Sequence, residues 1–86
     1  MVYQIRWATE PGLRGISCSE FRATPLPAGA KADNEGGVAL EFADGEAAAE
    51  FVKRLEQEFA LRRFMNAADA FDTVKAFALE LASRSS

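Results

Sequence analysis

Apolar and polar residues alternate with period two over Val2–Thr9: Tyr3, Ile5 and Trp7 fall on one face, and Val2, Gln4, Arg6 and Ala8 on the other. With its β-branched and aromatic content the segment reads as a strand that gives one face to a core. Glu10-Pro11-Gly12 then predicts a turn, because proline fixes φ and glycine accepts the positive φ that can follow.

From Leu13 to Ala23 the alternation slips phase. Ile16 and Cys18 share one face, whereas Phe21 falls on the other with Ser17 and Ser19. A β-bulge would bring all three inward, and an irregular helical turn over Ser19–Arg22 is the competing account. The expectation is a strand, paired antiparallel with the first because only a short turn separates them. Thr24 to Gly37 carries Pro25, Pro27, Gly29, Gly36 and Gly37 and reads as a surface loop. A loop of that length is a solvated connector or an adaptable arm for a partner.

The clearest signal lies beyond it. Val38, Leu40 and Phe42 alternate with Ala39, Glu41 and Ala43, a half-buried strand. Asp44 is placed to cap a helix starting at Glu46, its carboxylate accepting from first-turn N–H groups at the positive end of the dipole. Asp44-Gly45 could instead close a hairpin, but Glu46-Ala47-Ala48-Ala49-Glu50 favours helix too strongly for a strand to follow. In the helical segment running towards Phe64, Ala48, Phe51, Val52, Leu55 and Phe59 occupy one stripe. After a turn over Leu61–Asn66, a second helix is expected from Ala67 to Ser83, capped by Asn66. Its stripe is Ala67, Ala70, Phe71, Val74, Phe77, Ala78 and Leu81, and Glu80 and Arg84 are spaced for an i,i+4 pair.

These elements predict an α+β fold in the order β-β-β-α-α: a small antiparallel sheet of two to three strands with a C-terminal helix hairpin packed on one face. The length of 86 residues suits one domain over 1–86, and the 49% apolar content is that of an ordinary globular chain. No apolar run is long enough to span a bilayer and no secretory leader is apparent, so no membrane role is expected and the default address is cytoplasmic.

Composition removes most chemistry. There is no histidine, hence no usual general base and none of the commonest metal ligand. Cys18 is the single cysteine, which excludes an intrachain disulfide, and it lacks the companions of a zinc site or a nucleophile dyad. It reads as a small apolar core residue. Asp33-Asn34-Glu35 before Gly36 has neither the ligand spacing nor the distal bidentate glutamate of a calcium loop, and the glycines form no phosphate-binding pattern. No catalytic residue, metal site or cofactor is therefore expected, and the chain is expected not to be an enzyme.

The net charge of −3, spread evenly along the chain, makes nucleic acid an unlikely partner. Arg62-Arg63-Phe64 is the local exception. A basic pair beside an aromatic suits single-stranded nucleic acid, but it equally caps a helix C-terminus or meets an acidic protein. Leu61 and Leu79 project off their stripes, Leu26 lies in the long loop, and Phe64 with Met65 occupies the interhelix turn. Singly such residues are unremarkable, but clustered they mark an interaction patch. Leu26, Arg62, Arg63, Phe64, Met65 and Leu79 are thus the candidate partner-binding residues.

The expected function is a noncatalytic protein–protein interaction module: an adaptor, a homodimerising subunit, or a small inhibitor acting by occlusion. Its partner is another protein or a second copy of the chain. The alternative is nucleic-acid binding through sheet aromatics and Arg6, Arg14, Arg22, Arg62 and Arg63, which requires those arginines to converge on one surface.

Overall fold

The computed structural model describes residues 1–31 and 36–84. Three antiparallel strands, β1 (Val2–Gly12), β2 (Gly15–Pro25) and β3 (Gly37–Glu41), form an open sheet in the order β2-β1-β3. Two helices follow, α1 (Gly45–Phe59) and α2 (Ala67–Arg84), so the fold is α+β in the order β-β-β-α-α.

β1 and β2 form a long hairpin whose last pair is Gly12 with Gly15, leaving Leu13-Arg14 as its tip. The strand thus runs through the Glu10-Pro11-Gly12 signal, and the turn comes after it. Proline is tolerated because β3 pairs only with Val2–Arg6; further along, β1 has a neighbour on one side, and Pro11 sits there opposite Ile16.

The phase slip in β2 is resolved by a bulge. Arg6 pairs with Arg22 and Ala8 with Ser19, so Trp7 alone faces both Glu20 and Phe21, and Glu20 takes up the extra residue with a left-handed φ of 53°. Cys18 and Phe21 are both buried and Ile16 is packed against the core, all three on the inner face.

Beyond Pro25 the chain stays tethered. The Leu26 N–H donates to the Val2 carbonyl at 2.9 Å, and Ala30 N–H donates to the Pro27 carbonyl at 3.0 Å across a turn with Gly29 at φ 86°. That pattern is a type II turn. The expected loop is shorter than its sequence suggests, since Thr24 and Pro25 belong to β2. Asp33, Asn34 and Glu35 lie outside the described residues.

β3 begins at Gly37, where only glycine fits: a Cβ there would lie 1.9 Å from the Ile5 carbonyl oxygen. Asp44 caps α1 by accepting from the Ala47 N–H at 2.9 Å, and Asn66 caps α2 by accepting from the Asp69 N–H at 2.7 Å. Every residue of the α1 stripe is buried. In α2, Ala70, Val74 and Ala78 are buried, Phe77 and Leu81 pack at the margin, and Ala67 is exposed. The Arg84 Nη2 donates to Glu80 Oε1 at 2.6 Å.

Both helices lie on the face of Tyr3, Ile5 and Trp7. Tyr3 meets Phe42, which meets Phe51 of α1. Trp7 stacks between Phe21 and Phe71 of α2, and Phe21 stacks on Phe59, which also contacts Phe64 and Phe77. One aromatic chain thus links hairpin, α1, interhelix turn and α2.

Candidate protein-interaction surface

α1 stops at Phe59 rather than continuing to Phe64, and the reason is a contact between segments far apart in sequence. The Phe64 N–H donates to the Ile16 carbonyl at 2.9 Å and the Ile16 N–H donates back to the Phe64 carbonyl at 2.8 Å. The interhelix turn is thereby hydrogen-bonded to the edge of β2, next to the hairpin tip. The fit is close: a Cβ on Gly15, whose φ is 119°, would lie 2.6 Å from the Phe64 carbonyl oxygen and 3.5 Å from the Arg63 Cβ.

This strap gathers two short segments, Gly12–Gly15 and Ala60–Asn66, at one end of a molecule 41 Å long. Leu13, Leu61 and Met65 project from them with relative exposures of 107%, 90% and 94%, the most exposed large apolar side chains among the described residues. Arg14, Arg62 and Arg63 stand beside them, all exposed. The Arg62 guanidinium lies over the Phe59 and Phe64 rings, at 5.3 and 5.4 Å from their centroids, and the Arg63 Nη1 donates to the Arg62 carbonyl at 2.9 Å. Among the described residues none of these three arginines is in an ion pair. Neither segment contains an acidic residue; the nearest carboxylates along the chain, Glu10, Glu58 and Asp69, belong to the flanking elements.

The six candidate residues are therefore divided. Arg62, Arg63 and Met65 are together at this end. Phe64 is not displayed there: its side chain is 7% exposed and forms the floor under Arg62, because the backbone pairing with Ile16 turns it inward. Leu26 is half-buried at the opposite end of the hairpin, beside Met1, Val2 and Pro27. Leu79 is 47% exposed on α2. Leu13 joins the surface without having been singled out for a partner, and Arg14, named only for the nucleic-acid alternative, joins it too. The signal that could have found them is the pair of glycines bracketing Leu13-Arg14, which permits a two-residue tip.

The five arginines of the nucleic-acid alternative do not converge. Arg6 and Arg22 are cross-strand partners on the sheet face that the helices leave open, whereas Arg14, Arg62 and Arg63 are at the hairpin tip. The sheet aromatics Tyr3, Trp7, Phe21 and Phe42 all face the helices, where their rings are in contact with one another or with helix rings, so none forms a stacking platform on the open face.

Other chemistry is sparse. Burial pushes the Cys18 thiol pKa up, which holds it in the weakly nucleophilic protonated form. Among the described residues no His, Cys, Asp or Glu side chains group as a metal site, and no helix is long and apolar enough to cross a membrane. A concavity of about 710 Å³ opens between α1 and the end of α2, floored by Phe42, Phe51 and Leu81 and rimmed by Glu41, Glu50 and Arg54. Among the described residues no buried side-chain nitrogen or oxygen lacks a hydrogen-bond partner. Compared with known proteins, the chain matches no family model, no curated protein and no solved structure.

Proposed function

We propose that the protein is a noncatalytic protein–protein interaction module that docks through the end formed by the hairpin tip and the interhelix turn. The observation that carries this is the gathering of Leu13, Leu61 and Met65, otherwise costly to expose together, beside Arg14, Arg62 and Arg63. Methionine and arginine are both enriched at interfaces over ordinary surface. The backbone strap holds the surface in place before a partner arrives, so little ordering cost is left to binding. A cytoplasmic address belongs to the same proposal and accords with a fold that uses no disulfide, its one cysteine being free.

Docking at this end is compatible with an adaptor or with an inhibitor that covers a partner's site. Nucleic-acid binding is less well supported, since the arginines are split between two places and the aromatics are turned inward. The test is site-specific photocross-linking in cells, with the cross-linker placed in turn at Leu61, Met65 and Ala49, the last being exposed on α1. A discrete protein adduct at Leu61 and Met65, absent at Ala49 and lost when Arg62→Glu and Arg63→Glu are added, is the expected result. Adducts at all three positions alike, or at Ala49 only, would overturn the proposal.

A further inference from the structure

We infer that the partner segment taken by this end is an acidic one, in which carboxylates flank one or two large apolar side chains, and that it belongs to a different protein. This rests on the interaction surface proposed above and specifies its ligand. Three guanidiniums without carboxylate partners among the described residues stand within two short acid-free segments of a chain whose net charge is −3. The local charge is thus opposite in sign to that of the whole molecule.

Arg62 is partly preorganised. Its guanidinium carbon lies over Phe59 and Phe64, and these contacts hold the group in place without consuming its donors in an ion pair. Carboxylate is the group that matches this fork, bidentately and with charge assistance. Leu13, Leu61 and Met65 supply apolar contact between the charges, and the unbranched Met65 adapts to the shape of what it meets.

The same features weigh against the other occupants. A two-fold contact of this end with itself would oppose the three arginines of one copy to the three of the other. Single-stranded nucleic acid would need exposed rings to stack on, and the rings at this end, Phe59 and Phe64, are buried beneath Arg62.

The experiment is fluorescence anisotropy on the intact chain with four labelled probes. One is a short peptide of aspartate and glutamate bearing leucine and phenylalanine, the second replaces its acids by lysine, the third replaces its apolar residues by serine, and the fourth is an oligothymidylate. The first should bind, with affinity falling as salt rises, and the other three should bind at least about tenfold more weakly, a difference of about 1.4 kcal/mol. Arg62→Glu with Arg63→Glu should abolish the binding, Leu13→Ser with Met65→Ser should weaken it about tenfold, and Lys53→Glu on the outer face of α1 should leave it unchanged. All the replaced residues are exposed, and circular dichroism melts check that each variant is folded.

Absence of binding by the first peptide, or equal binding of the lysine peptide, overturns the inference. So does tighter binding of the oligonucleotide, or self-association of the wild-type chain that the Arg62 and Arg63 replacements relieve or strengthen. If the acidic peptide fails while Leu61 and Met65 still cross-link a protein, the ligand class is wrong and the surface stands. If both fail, the surface itself is wrong.

Discussion

Glu20 is the one described residue other than glycine with a left-handed backbone, and it sits where β2 must gain a residue to bring Phe21 onto the same face as Cys18. The cost of that conformation for an L residue is about 1 to 2 kcal/mol, partly offset in a glycine by greater entropy loss on folding. Glu20→Gly should therefore leave stability unchanged or raise it by up to about 1 kcal/mol, whereas Glu20→Val should lower it by about 1 to 2 kcal/mol. Urea unfolding midpoints at constant slope measure both, and destabilisation of the two to the same extent would mean that β2 is not bulged there. Gly37 has the opposite character, since its side has no room: a Cβ would meet the Ile5 carbonyl oxygen at 1.9 Å. Gly37→Ala should cost about 2 to 3 kcal/mol through displacement of β3, read in the same unfolding experiment. A melt like that of the wild type would show that β3 does not pair at that point.

At the scale of elements, what was legible in the sequence is what repeats locally. The α1 stripe of Ala48, Phe51, Val52, Leu55 and Phe59 is buried throughout, and both caps are where side-chain chemistry puts them. Even the broken alternation in β2 was informative, since a slip of one position between Cys18 and Phe21 is what a bulge repairs. Misreadings arose where a distant partner decides. Pro11-Gly12 has the local composition of a turn, yet pairing with β2 carries the strand past it. Phe64 looked spare in the interhelix turn because its partner, Ile16, is on another element. These placements separate energetically. Phe64→Ala removes a buried ring and should cost about 3 to 5 kcal/mol, while Leu61→Ser and Met65→Ser should each stay within about 0.5 kcal/mol of wild type. Thermal melts of the three variants check this, and a large loss from Met65→Ser would mean that Met65 is packed rather than displayed.

Over the whole molecule, the candidate surface was only half legible. Arg62, Arg63 and Met65 are consecutive or nearly so and could be noticed as a cluster along the chain. Leu13 and Arg14 could not be joined to them without the strap between Ile16 and Phe64, nor could Leu26 be seen to lie at the far end. The strap is therefore what turns two loops into one surface and what shortens α1.

The most direct test of this account is native-state amide hydrogen exchange at Ile16 and Phe64, the two donors of the strap. If the interhelix turn is locked to the hairpin, both amides are protected and open together with a free energy close to that of global unfolding. A Phe64 amide that exchanges as fast as a free loop while Ile16 remains slow would contradict it, leaving the tip and the turn as separate mobile segments with no shared surface.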